Sequence, residues 1–112
     1  MESLEFLNKV EIRGVVGRVF VKAFGDQTVT NFSVVTEYAY RDKNGSSVVD
    51  VTWWNVSAWD LPEEQSSQMK KGAWVDVTGR LRCRRYESEE EQRVSYEIIA
   101  SSVKVLAVMN KA

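Results

Sequence analysis

Residues 60–72 read DLPEEQSSQMKKG and separate two long stretches that alternate between apolar and polar residues. Asp60 is a suitable helix N-cap, Pro62 fits a first helical turn, and the two glutamates that follow complement the positive end of the helix dipole. Two lysines followed by Gly72 are typical of a helix end. This segment therefore predicts one short helix between two strands, starting at Asp60 and ending near Met69–Gly72.

The alternation on either side of this helix predicts five strands in all. They run from about Asn8 to Phe20, Thr28 to Tyr40, Val48 to Ala58, Trp74 to Tyr86 and Val94 to Val108. Gly14 and Gly17 inside the first strand predict a bulge or a sharp bend, and Asn44-Gly45 predicts a hairpin turn. Five strands with one short helix between the third and fourth is the element order of the OB-fold. The predicted fold is therefore all-β, a five-stranded OB-fold Greek-key barrel, with a five-strand sandwich as the alternative.

Composition narrows the class of protein. The chain has 112 residues, of which 44% are apolar and 28% charged, with a net charge of −1. This balance excludes wholesale disorder, and the length predicts a single domain over 1–112, with an N-terminal extension at 1–7 and a short C-terminal end at 109–112. No apolar run is long enough to span a membrane, and the acidic N-terminus is unlike a secretory signal. Cys83 is the one cysteine, which fits a reducing compartment, so we expect a cytoplasmic protein.

Histidine is absent from the sequence. This excludes Ser-His-Asp and Cys-His nucleophilic sites and the usual zinc ligand sets. We therefore expect a binding protein without cofactor or metal rather than an enzyme. Chemistry based on paired carboxylates alone is the remaining enzymatic alternative.

The two sides of the fourth strand differ in chemistry, because side chains alternate between the faces of a strand. One side is apolar and is predicted to face the core; it carries Val75, Val77, Gly79, Leu81 and Cys83. The opposite side carries Arg80, Arg82, Arg84 and Tyr86. From Lys70 to Tyr86, six cations stand against one acid. The near-neutral overall charge therefore hides a strongly basic strand.

The third strand places large aromatic rings on a face that should be wet. Trp53 and Trp59 share that face with Asn55 and Ser57. Arginines that neutralise phosphates, combined with exposed rings that stack on unpaired bases, suit single-stranded nucleic acid. No helix carries the side chains that duplex recognition would need.

Four motifs in order resemble one known family. They are Asn8-Lys9-Val10 with Ile12, Gly14 and Gly17; Thr30–Thr36 followed by Tyr40-Arg41-Asp42-Lys43; Trp53 with Val56 and Trp59; and Lys70-Lys71-Gly72 with Val75, Val77, Gly79, Leu81, Arg82 and Arg84. From about Asn8 to Val105 the chain resembles bacterial-type single-stranded DNA-binding proteins. The resemblance implies an OB-fold, sequence-independent binding of single-stranded DNA in replication, recombination or repair, and a homo-oligomer, either a dimer or a tetramer.

The resemblance also implies site residues. The base-stacking aromatics would be Tyr40, Trp53, Trp59 and Tyr86. The basic strand adds Arg80, Arg82, Arg84 and Arg85 as phosphate contacts, with Lys9, Arg13, Lys22 and Lys43 as further cations. Trp54, where the family commonly has histidine, and Trp74 are expected at subunit contacts. Arg18-Val19-Phe20 replaces the family's Asp-Pro pair. The chain stops at Ala112 without the family's acidic tail, so no tail-mediated recruitment is expected if this is the whole protein.

Other interpretations of these residues remain open. Trp53 and Trp59 could pair across a dimer interface, since interfaces also select Trp. The arginines could form a solvated face paired with the acidic tip Glu87–Glu91. Cys83 is expected in the core. The alternative function is an accessory OB module of a primosome or mobile element that acts mainly through protein–protein contacts.

Overall fold

Five strands and one helical turn make up the computed structural model, which describes residues 4–108. The elements are β1 (Val10–Phe24), β2 (Gln27–Arg41), β3 (Ser47–Trp59), α1 (Glu63–Ser66), β4 (Trp74–Ser88) and β5 (Glu91–Ala107). The strands close into a barrel in the order β1-β2-β3-β5-β4. The predicted all-β OB-fold barrel is confirmed, and the sandwich alternative is wrong.

The predicted terminal segments are described only in part. The C-terminal end at 109–112 and the first three residues of the N-terminal extension lie outside the described residues. Within residues 4–108, no helix has the length and apolar character to cross a membrane.

Barrel closure depends on a short parallel contact. β3 and β5 pair in parallel at Val56↔Ile98 and Ser57↔Ile99, whereas the other strand pairs are antiparallel. The core behind this contact is built from inward-facing aliphatic and aromatic side chains, among them Val16, Phe32, Val34, Val56, Val75, Val77 and Ile98. Each such burial contributes about 1.5–3 kcal/mol, so these alternating positions stabilise the barrel together.

Two glycines are required where backbones approach closely. A Cβ atom at Gly14 would lie 2.1 Å from the carbonyl oxygen of Val35, and one at Gly79 would lie 2.1 Å from that of Ile99. Gly17 has a different neighbour, because its Cβ would meet Cζ3 of Trp53 at 2.7 Å. The β1–β2 register shifts around Gly17, so the predicted bulge in the first strand is confirmed.

The helix is shorter than predicted and begins later. Its N-cap is Pro62, with no side-chain cap and no basic residue in its last turn, so the predicted Asp60 cap and the extension to Met69–Gly72 are wrong. Asp60 has a φ of 49°, and its Oδ1 accepts a hydrogen bond from the backbone N–H of Thr28 at 2.9 Å. The carboxylate is therefore used to hold the end of β3 against β2.

Two hairpins extend past the barrel as two-stranded ribbons. Pairing of β1 with β2 ends at Val15↔Val35, and pairing of β1 with β4 ends at Val10↔Gly79. β4 and β5 nevertheless continue together to Ser88↔Glu91. The side of β4 that faces the core up to Gly79 therefore has no core behind it further along. Leu81 and Cys83 are exposed for this reason, and their predicted place in the core is wrong.

We predict that Gly79→Ala destabilises the protein more than Gly17→Ala does. The new methyl group at Gly79 meets a backbone carbonyl that cannot move without disturbing the β4–β5 pairing. At Gly17 it meets side-chain atoms instead, which are the far end of Trp53 and the hydroxyl oxygen of Ser33. A loss of about 1–3 kcal/mol or more is expected for Gly79→Ala, as for other overpacked sites.

Urea denaturation of both variants measures this difference. Equal losses of unfolding free energy in the two variants would contradict the assigned roles of the glycines.

Candidate nucleic-acid interface

The outward face of the barrel carries rows of side chains that cross β1, β2 and β3. One row joins Phe20, Asn31 and Ser57, and the next joins Lys22, Val29 and Trp59. A groove of about 360 Å³ crosses this face and reaches β4 and β5; it is lined by Arg18, Phe20, Asn31, Phe32, Ser33, Asn55, Val56, Ser57, Arg84, Ser95 and Glu97. All five strands thus contribute to one continuous surface, which we call the outward groove.

Three of the predicted stacking residues lie on the outward face. Trp53 is 60% exposed, Trp59 47% and Tyr86 50%. The Trp59 ring is supported by Phe24, with ring centroids 5.7 Å apart. The Trp53 ring lies over Gly17, where the absence of a side chain leaves room for it. Both tryptophans are therefore held by neighbours while much of each ring remains open to solvent.

Tyr40 lies elsewhere. It shares the strand parity of the core residues Phe32 and Val34, so it projects from the opposite face of the β2–β3 ribbon to Trp53. It is 42% exposed and packs beside Tyr38, with ring centroids 6.2 Å apart. The structure therefore brings Trp53, Trp59 and Tyr86 to one side of the sheet and separates Tyr40 from them.

Arg82 and Arg84 converge on one carboxylate. Oε1 of Glu97 accepts from Nε of Arg82 at 3.1 Å and lies 3.1 Å from Nε of Arg84. Oε2 of Glu97 lies 3.0 Å from the Ser57 hydroxyl, which also lies 2.7 Å from Oδ1 of Asn31. The single Ser57 proton can serve only one of these acceptors at a time. Two arginines and one glutamate leave this cluster with one net positive charge.

The pKa of Glu97 is lowered by this arrangement. Burial would raise it, since the side chain is only 15% exposed, but hydrogen bonds from Arg82 and Ser57 and the charges of Arg82 and Arg84 outweigh the burial. Glu97 therefore stays ionised and keeps both guanidinium groups oriented on the outward face.

Arg13 is engaged away from the outward groove. Its Nε and Nη2 donate to the two carboxylate oxygens of Asp76, at 2.6 and 3.1 Å. This bidentate contact lowers the pKa of Asp76 and raises that of Arg13. The pair bridges β1 and β4, and neither residue lines the groove.

The remaining predicted cations are exposed and, among the described residues, form no ion pair. They are Lys9, Lys22, Lys43, Arg80 and Arg85. Lys22 lies in the same row as Trp59, and Arg80 shares the face of Arg82. Arg85 has the parity of Cys83 and so lies on the other face of the β4–β5 ribbon. Lys43 lies in the β2–β3 turn.

The two predicted contact tryptophans differ in burial. Trp54 is half-buried against the core, and its Nε1 donates to Oγ1 of Thr36 at 2.9 Å. Trp74 is exposed at the start of β4. The indole N–H of Trp54 therefore has its hydrogen-bond acceptor within the chain. The ring of Trp74, in contrast, is accessible to a partner.

Sequence reasoning missed Glu97, Phe20 and Phe24 as parts of this surface. The signal for Glu97 was present, because a hairpin that turns at Glu89-Glu90 places residue 82 opposite residue 97. The positions of Phe20 and Phe24 relative to the third strand could not be predicted from the hairpin turns in the same way, because the bulge around Gly17 shifts the register of β1.

A small closed barrel with aromatic and cationic side chains on one outward face defines an OB-fold binding protein. The model of the Single-strand binding protein family matches residues 7–106. The chain belongs to this family, which confirms the resemblance seen in the sequence motifs.

Two relatives illustrate the match. The Single-stranded DNA-binding protein of Neisseria meningitidis serogroup A is 33% identical over 109 residues, which cover 94% of this chain and 63% of that protein. Single-stranded DNA-binding protein 2 of Streptococcus agalactiae serotype III is 33% identical over 87 residues, covering 77% and 65%. The chain thus spans less than two thirds of the length of these relatives.

Solved structures share the fold. The Plasmodium falciparum SSB in complex with ssDNA superposes with a TM-score of 0.84 at 24% identity, covering 95% of this chain and 100% of that one. The small single-stranded DNA-binding protein from Streptomyces coelicolor gives a TM-score of 0.69 at 19% identity, covering 89% and 95%. At these identities the likeness establishes the architecture alone.

We predict that Glu97→Gln destabilises the protein at neutral pH by about 1.5–3 kcal/mol, the range for hydrogen bonds to charged groups. Because the folded-state pKa of Glu97 lies below its ordinary value, the stabilisation is fully present above that ordinary value. It is lost as the pH falls through the lowered folded-state pKa.

Urea denaturation over an acidic to neutral pH series tests this, with exposed Glu37→Gln as the matched control. The difference between wild type and Glu97→Gln should narrow towards acidic pH. A difference that stays constant over the series would show that the charge of Glu97 does not stabilise the fold.

Proposed function

We propose that this protein binds single-stranded DNA without sequence preference and protects it in replication, recombination or repair. The observation that carries the proposal is that exposed Trp53, Trp59 and Tyr86 share one outward face with three arginines of β4, namely Arg80, Arg82 and Arg84. Membership of the Single-strand binding protein family and the names of the relatives support it.

Stacking supplies the contacts to the bases. Every base has a flat π-face, so an exposed aromatic ring accepts any of them, at about 1–3 kcal/mol per base. Trp53 and Trp59 are packed against their neighbours on the sheet, so these side chains lose little conformational entropy when a base binds. This favours binding that tolerates any sequence.

Cationic side chains supply the contacts to the phosphates. Nε of Arg84 lies 3.1 Å from Glu97, and 63% of the Arg84 side chain is exposed, so its guanidinium group is accessible to an incoming phosphate. Lys22 and Arg80 extend the cationic surface along β1 and β4. Arg13 contributes least, because Asp76 already neutralises it.

Self-association is also part of the proposal, as a dimer or a tetramer. The exposed ring of Trp74 supports it, together with Leu4, Phe6 and Leu7, which are almost fully exposed beside the start of β1. Large apolar side chains that are exposed to solvent can mark surfaces that a partner covers.

Trp53→Ala is expected to weaken binding to poly(dT) by about 1–3 kcal/mol, the cost of losing one stacked base. In the wild type, poly(dT) should quench tryptophan fluorescence through Trp53 and Trp59. Fluorescence titration measures both effects. Unchanged affinity in a folded Trp53→Ala variant would instead assign Trp53 to a protein interface.

Arg84→Ala should reduce the salt dependence of binding. Each neutralised phosphate contributes about −0.7 to the slope of log affinity against log salt concentration, so the slope should become shallower by about that amount. Lys104→Ala is the matched control, because this exposed cation lies on β5 beside Asp76 and does not line the outward groove.

Affinities measured over a salt series decide this prediction. Equal slopes for the wild type and Arg84→Ala would remove Arg84 from the phosphate contacts.

A further inference from the structure

A second cavity lies where the two ribbons separate. β3 and β5 run side by side for only two residue pairs and then diverge. The gap is a cleft of about 360 Å³ with mainly apolar walls, which include Trp53, Trp54, Leu81, Tyr96 and Ile98. Tyr96 is 59% exposed there. An aromatic ring and an aliphatic side chain are thus open to solvent beside Trp53.

We infer that this cleft, which we call the ribbon cleft, takes one nucleobase of a bound single strand and that Tyr96 is a stacking residue for it. The inference rests on the proposed function and adds a base-binding position that the sequence motifs did not include.

The ribbon cleft is adjacent to the outward groove. Asn55 and Glu97 line both cavities. Trp53 forms part of the cleft wall, and Glu97 orients Arg82 and Arg84 at the boundary. Tyr96 pairs with Cys83 and so lies on the face of the β4–β5 ribbon opposite to Arg82 and Arg84. A strand whose phosphates contact these arginines would therefore pass over the β5 edge at Glu97 to place a neighbouring base in the cleft.

Size and chemistry favour a base over a segment of protein. The volume of the cleft lies at the lower end of the range of about 300–1,000 Å³ for small-molecule sites. An α-helix with its side chains is about 10–12 Å wide and needs a longer groove. The apolar walls suit the faces of a flat heterocycle, while Asn55 and Thr52 supply polar groups at the edge.

The test compares the affinities of Tyr96 variants for a 35-mer of dT by fluorescence anisotropy. Tyr96→Ala should weaken binding about 5- to 150-fold, which corresponds to the loss of one stacked base. Tyr96→Phe should bind as the wild type does, because it keeps the ring. Val94→Ala is the matched control, since Val94 lies exposed on the same strand and face but does not line the cleft.

Photocrosslinking of the wild-type protein gives an independent measurement that does not depend on the folding of a variant. A dT oligomer carrying 5-iododeoxyuridine is irradiated on the protein, which is then digested with trypsin. Tyr96 is the one aromatic residue in the tryptic peptide 94–104, VSYEIIASSVK. A nucleotide adduct on this peptide is expected.

Four results would overturn the inference. If Tyr96→Ala binds with wild-type affinity while Trp53→Ala binds more weakly, the cleft is not a base-binding position, and the proposed function is unaffected. Adducts on other aromatic peptides alone would lead to the same conclusion. A lower mass of Tyr96→Ala in light scattering, with unchanged affinity, would assign the cleft to a second protein copy. Absence of dT binding by the wild type would remove the proposed function as well.

Discussion

The parallel contact of β3 with β5 determines the shape of the whole molecule. It joins Val56 to Ile98 and Ser57 to Ile99 and ends there. These two pairs close the barrel around the core, and the strands separate immediately beyond them into two ribbons. The outward groove crosses the contact, and the ribbon cleft begins where it ends. A longer contact would extend the barrel and fill the cleft, so the shortness of the pairing is what leaves the ribbon cleft open.

Glu97 connects fold and surface chemistry at the same place. It comes directly before Ile98 on β5, so it is anchored by the core on one side and by two guanidinium groups on the other. A carboxylate on a surface proposed to bind phosphates lowers the local positive charge. In return it fixes the direction of long, flexible side chains, and this reduces the conformational entropy that binding would otherwise cost.

Much of the fold and part of the site follow from alternation alone. Parity predicted the buried side of β4 up to Gly79 and the exposed tryptophans of β3. It failed at Leu81 and Cys83, because alternation tells which side a residue is on but not where the core behind it stops. The Asp60 cap failed for a related reason. A short carboxylate can serve a helix N-terminus or a neighbouring strand, and the β2–β3 register decides between them.

The opposite placement of Tyr40 and Trp53 on one ribbon has a mechanical consequence. A nucleic-acid strand in contact with both Tyr40 and Trp53 has to bend round the edge of the β2–β3 ribbon within a few nucleotides. Duplex DNA has a persistence length of about 50 nm and resists a bend that tight, whereas an unpaired strand follows it at small cost. Such a surface would favour single-stranded over duplex DNA because of their difference in stiffness, independently of specific contacts to bases or phosphates.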